Sequence, residues 1–164
     1  MPKVLFVDSS PEFDRLWRTV HRADDIAIDC NLERLREGDI PRKLAGYDTA
    51  IVDSSYFTAE TLASCRGLKH IVFLGTGAGS FIDLDAAAKL GIKVSTIRGY
   101  GDTAVAEHAM ALTFAAARNV AVMHEDLRRG GWRVMQGIEL TSKWIGLVGL
   151  GGIGREMARL AGGI

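Results

Sequence analysis

Cysteine is almost missing from this chain: Cys30 and Cys65 are the only two. They lack C-x-x-C spacing and lie in apolar or helical surroundings, which reads as reduced thiols, not as a disulfide framework. An excess of either charge is missing too. Twenty basic and twenty acidic residues cancel, so no net field favours nucleic acid or a membrane surface. No apolar run is clean enough for a membrane span. The longest, Thr103 to Met123, carries Glu107, His108, Arg118 and Asn119 and is expected to be a buried helix. Internal repeats and low-complexity linkers are absent. No leader pattern opens the chain, since Met1-Pro2-Lys3 runs straight into a strand, so the expected location is the cytoplasm. With 48% hydrophobic and 24% charged residues, a soluble globular protein is expected and a disordered one excluded.

What the chain does have is an alternation of short strands and helices. Lys3–Val7, Ile26–Cys30, Thr49–Val52, His70–Leu74 and Ile92–Ser95 read as strands. Between them, Ser9-Ser10-Pro11 opens a helix carrying Phe13, Leu16, Trp17 and Val20. A charged surface helix plus loop is expected over Leu32–Leu44, broken at Pro41, and Ala59–Cys65 and Leu84–Leu90 are further helices. Strands of this length separated by helices predict a parallel sheet covered on both faces. A flavodoxin-like α/β domain over 1–98 is expected, then a second region over 99–164 with a long helix, one strand, a glycine turn and one helix.

The densest signal lies near the C-terminal end, in VGLGGIGRE over 148–156. Gly149, Gly151 and Gly154 have the G-x-G-x-x-G spacing of a dinucleotide-binding turn. The first glycine allows a tight turn, the second a close approach of pyrophosphate to bare backbone, and the third close packing of the following helix. An apolar strand, Trp144–Val148, is expected before the turn, and Met157, Leu160 and Ala161 share a helix face after it. Phosphates would sit at the helix N-terminus, with Gly152 and Ile153 in its first turn. A glycine-rich turn that binds nothing is the bland alternative.

Asp8 and Asp53 end the first and third strands, as the acidic pair of a phospho-receiver does around Mg²⁺. Acidic residues also cap strands and start turns in many α/β domains. That receiver reading is the remote alternative.

From Gly75 onward the chain resembles the D-isomer-specific 2-hydroxyacid dehydrogenases. The resemblance rests on IDLDAAAKLGIKV over 82–94, VAEH over 105–108, Gly131-Trp132 and the glycine turn, in that order. It implies an NAD(P)-dependent oxidoreductase of about twice this length, whose N-terminal segment builds the substrate domain before crossing into a Rossmann domain. Gly149, Gly151, Gly152, Ile153 and Gly154 would then hold the pyrophosphate of NAD or NADP. The loop with Thr76, Gly77, Ala78 and Gly79 would offer backbone N–H groups to a 2-hydroxy or 2-oxo acid, with Arg98 as a nearby cation. Ala78 and Ser80 depart from the family pattern, as does Gly101, where several members carry Asn.

The family's catalytic His, Glu and Arg come from the half after the glycine turn, so the resemblance assigns no catalytic residue here. None of the four histidines stands in that place. His108 beside Glu107 points about 100° away from it on a helix; His124 sits in a charged helix end; His70 starts a strand. The resemblance thus implies an inactive N-terminal portion with weak or absent cofactor binding, and a homodimer through the long helix and nucleotide domain. A non-catalytic relative acting as an interaction module or gene remnant is the alternative.

Overall fold

The computed structural model describes residues 1–164. Met1–Ile97 forms one compact unit and Arg98–Ile164 a second.

The first unit is built on five parallel strands: β1 (Val4–Phe6), β2 (Ile28–Cys30), β3 (Thr49–Val52), β4 (His70–Phe73) and β5 (Lys93–Thr96). Their order across the sheet is β2-β1-β3-β4-β5, the flavodoxin-like arrangement, with a topological switch between β1 and β3. Register is even: Val4 faces Ile28 on one side and Thr49 on the other, Thr49 faces His70, and His70 faces Lys93.

Each helix of this unit starts where a side chain can take up a free N–H. Ser10 caps α1 (Pro11–Val20) through Phe13 N, Thr58 caps α3 (Ala59–Ser64) through Thr61 N, and Asp83 caps α4 (Leu84–Lys89) through Ala86 N. Pro41 does not break a helix. It lies in the first turn of the short α2 (Ile40–Lys43), preceded by a 3-10 turn over Glu37–Asp39, where proline lacks no needed donor. The charged helix plus loop expected over 32–44 is thus a loop, the 3-10 turn and this short helix, with Pro41 inside the helix and not at its break.

The core lies on one face of the sheet. Val7, Val52 and Ile71 pack there with Ile40, Leu44, Phe57, Leu62 and Ile82, all fully buried. The opposite face is only part-covered. Phe13 of α1 meets Phe6 edge-on at 4.6 Å, yet α1 buries no residue completely, and Ile51 and Val72 stay half-buried. Val4 and Phe6 are nevertheless buried on that face, so the sheet is covered on both sides, as the sequence predicts, and more fully on the first.

The second unit comprises α5 (Asp102–Ala117), α6 (Val120–Arg128) and α7 (Gly152–Ala161). The helix expected over 103–123 is split at Asn119, whose φ of 55° is left-handed; asparagine tolerates that conformation better than most residues. Nor is that helix buried. Ala106, Met110 and Ala117 are the buried residues of α5, whereas Val105, Leu112, Phe114, Val120, Val122 and Leu127 are exposed. Ala106 and Met110 pack on Met157, with Ala109, Leu160 and Ala161 around them. The expected strand at Trp144–Val148 does not form. Residues 141–150 are all exposed, and no strand of the chain pairs with them. A strand exists only with a partner for its N–H and C=O groups, and apolar composition alone supplies none.

Candidate functional site

The glycine turn keeps its local geometry without that strand. Gly149 has φ 97°, a conformation that side chains disfavour, and Gly151 is the N-cap of α7 without any side-chain cap. A β-carbon on Gly154 would collide with the Gly149 carbonyl oxygen. The third glycine of the motif therefore closes the helix onto the turn. The amides of Gly152, Ile153 and Gly154 begin α7 and have no carbonyl one turn back to bond. They are joined to no side chain either, so the chain presents uncapped donors at a positive helix end. Such an end suits an anion. Ile153 lies in this first turn with its side chain exposed.

In the first unit, the Gly75–Ser80 loop follows β4. Ala78–Ser80 makes a 3-10 turn in which Gly77 O accepts from Ser80 N at 3.0 Å and Ala78 O accepts from Ile82 N at 2.8 Å. Thr76, Gly77 and Gly79 are exposed, whereas Ala78 is buried in the core cluster. The Ala78 side chain is thus part of the loop's anchor, and its carbonyl oxygen is taken up by Phe81 N and Ile82 N. Gly75 cannot carry a β-carbon without meeting the Phe73 ring at 2.5 Å. Phe73 and Tyr56 flank Phe81 at centroid distances of 5.3 and 5.2 Å, which fixes the far end of the loop.

Asp8 behaves differently from the metal-binding acid of a receiver. Its carboxylate accepts from the backbone N–H groups of Asp53, Ser54 and Ser55 at 2.9, 2.8 and 2.6 Å. Both oxygens are engaged in tying the loop after β3 to the end of β1. Asp53 contributes its N–H to this arrangement and no group of three or more metal-ligating side chains gathers anywhere. In this structure Asp8 acts as a loop clasp.

The remaining sequence candidates do not converge. Arg98 is exposed, and Glu107 and His108 are both exposed without a bond between them. His124 lines an apolar groove with Val120, Met123, Leu127, Trp132 and Val134. His70 Nε2 lies 2.8 Å from Ser95 Oγ, and burial, then Lys93, hold its pKa below the ordinary histidine value. Asp102, the first residue of α5, lays its carboxylate against Gly152, where a β-carbon would clash with it. Its position beside the glycine turn has no signature in sequence spacing.

Comparison with known proteins fits this geometry. The D-isomer specific 2-hydroxyacid dehydrogenase catalytic-domain model matches residues 4–136, and the NAD-binding-domain model of the same family matches 110–164. The chain belongs to the D-isomer specific 2-hydroxyacid dehydrogenase family. Among the relatives, hydroxypyruvate reductase of Thermotoga maritima is 34% identical over 82% of this chain and 44% of its own length. D-3-phosphoglycerate dehydrogenase of Archaeoglobus fulgidus is 33% identical over 84% of this chain and 26% of its own. A glyoxylate reductase from Paecilomyes thermophila superposes with a TM-score of 0.79 at 26% identity, across 99% of this chain and 53% of that one. An acyclic imino acid reductase in complex with NADPH and D-Arg gives 0.77 at 25%, across 98% and 53%. This dehydrogenase-family chain thus spans about half the length, or less, of these relatives. No helix of it is long and apolar enough to cross a membrane.

Proposed function

We propose that the chain is the substrate domain, residues 1–98, and the opening of the nucleotide domain, residues 99–164, of an NAD(P)-dependent oxidoreductase of 2-hydroxy acids. The parent reaction would move a hydride between nicotinamide and C2 of a 2-hydroxy or 2-oxo acid. The observation that carries this reading is the uncapped N-terminus of α7 behind a glycine turn with the first glycine at φ 97°. Gly149, Gly151, Gly152, Ile153 and Gly154 would receive the pyrophosphate of NAD or NADP. The exposed backbone of Thr76, Gly77 and Gly79, with Ala78 as anchor, would receive the acid's carboxylate, and Arg98 would supply positive charge. A proton acceptor for the hydroxyl and a tuned partner for it are both required for hydride transfer, and no such pair is assembled by these residues. The 164 residues alone are therefore expected to be inactive.

The exposed apolar side chains of Val105, Leu112, Phe114, Val120, Val122 and Leu127 on α5 and α6 support a homodimer through these helices, since burial of such side chains would stabilise an interface. The cytoplasm remains the expected location. The reading is tested by titrating NADH and NADPH into the purified chain while following the amide signals of 149–154. Shifts confined to that turn, with weak affinity and no turnover of glyoxylate or hydroxypyruvate, are expected. Nucleotide binding that leaves those signals unmoved would refute the assignment, and sedimentation at rising concentration tests the dimer.

A further inference from the structure

Two uncapped helix ends meet at one acidic side chain. Neither α5 nor α7 has a side-chain cap, their N-caps being Gly101 and Gly151, and α7 has no acidic residue in its first turn. Asp102 is the acidic residue in the first turn of α5, and its carboxylate lies against Gly152 at the head of α7. The two helices pack through Ala106, Met110 and Met157, which holds that carboxylate in place. It accepts no hydrogen bond there, so it acts as a charge and not as a cap. Positive helix ends attract a negative charge, and here the protein supplies one from within the turn to which an anionic ligand would come.

We propose that Asp102 sets the anion affinity of the glycine turn: it offsets the converging helix ends in the empty protein and opposes the charge of a bound diphosphate. The inference rests on the nucleotide reading above, which the match of the NAD-binding-domain model to residues 110–164 supports. Asp102 is a specificity-determining residue on this view. Its carboxylate weakens simple anions at the turn, so that a dinucleotide must add contacts elsewhere to bind well. The sign separates this role from a structural one. A carboxylate that merely held α5 to α7 would leave a looser turn and weaker binding when removed.

The test uses the 164-residue chain and inorganic pyrophosphate at constant ionic strength, following the amide signals of Gly149, Gly151, Gly152 and Gly154. Asp102→Asn and Asp102→Ala should each bind about 5- to 10-fold more tightly than the unmodified chain, the scale of one unit charge acting across several ångströms of partly solvated space. Asp102→Glu, which keeps the charge, should not. If the unmodified chain binds and the Asn and Ala variants bind equally well or worse, the role of Asp102 is overturned and the nucleotide reading stands. If no variant shows pyrophosphate-dependent shifts at these glycines, both fall. Three variants of different size guard against the loss of any one to misfolding.

Discussion

The carbonyl oxygen of Gly149 stands where a β-carbon on Gly154 would have to be. Backbone cannot swing aside as a side chain does, so the contact fixes residue 154 as glycine whatever occupies the turn. Gly154→Ala should force α7 away from the turn, at about 1–3 kcal/mol for overpacking. Pyrophosphate-induced shifts at 149–152 should then fall by at least about tenfold, because the amides no longer converge. Gly146→Ala is the control, since nothing lies within 4 Å of its added carbon. Equal effects from the two substitutions would contradict the packing argument.

Asp8 and the loop after β3 give a second test. Three N–H groups converge on that one carboxylate, and hydrogen bonds to charged groups are stronger than neutral ones. Asp8→Ala should lower stability by about 1–3 kcal/mol, toward the smaller figure because the clasp is part-exposed. Asp8→Asn, which keeps one acceptor oxygen, should lose less. Urea unfolding of the three proteins measures the order. A midpoint unchanged in the Ala variant would mean that the clasp contributes nothing.

Much of this architecture is legible in the sequence, and what is not has physical reasons. The five strands are short apolar runs bracketed by helix starts, and Ser10, Thr58 and Asp83 mark those starts by residue type alone. The α7 head is equally visible, because glycine spacing encodes backbone conformation directly. Strand order and the uneven burial of the two faces are not legible, since they depend on which faces meet. Trp144–Val148 shows the limit most clearly: apolar character reads as a central strand, but pairing needs partners that these residues do not have. The split at Asn119 is readable after the fact, as the one residue of that stretch that tolerates a left-handed conformation well. Asp102 is invisible, because its neighbour Gly152 is 50 positions away in the sequence.

Glu37 predicts a pH dependence. Its carboxylate accepts from Thr58 Oγ1 at 2.5 Å and from Thr61 Oγ1 at 2.9 Å. The Thr58 hydroxyl first, and then that of Thr61, hold its pKa below the ordinary glutamate value. A depressed folded value means that the stabilisation is fully present above the unfolded value and is lost as pH falls through the folded one. Melting temperature should therefore decline from the ordinary glutamate range downward, and Glu37→Gln should flatten that part of the curve. The effect is small because the side chain is exposed to solvent. An identical acid limb in the Gln variant would dismiss the contribution.

The two cysteines should be unreactive in the folded chain. Burial pushes the Cys65 thiol up to about 11, and burial is also the largest cause raising Cys30, which is only half-buried. The thiolate is the attacking species, so alkylation at neutral pH should be slow at both sites and slowest at Cys65. Denaturant should release both. Rapid native labelling of Cys65 would show that the core opens around Leu62 and Leu68.

Hydrogen exchange should divide the chain sharply. Ala50, Val52 and Ile71 are fully buried on strands paired on both sides, and amides there open only with global unfolding. Residues 141–150 are wholly exposed and belong to no sheet, with Trp144 and Val148 fully accessible. Their amides should exchange at nearly the rate of an unfolded peptide, while those of α7 beyond its first turn exchange more slowly. Strands supplied beside Trp144–Val148 should slow exchange there, because a pairing partner is what protects such amides. Protection of 144–148 in the 164-residue chain at dilutions where it is monomeric would show that this segment finds a partner within its own chain, and the account of the unformed strand would be wrong.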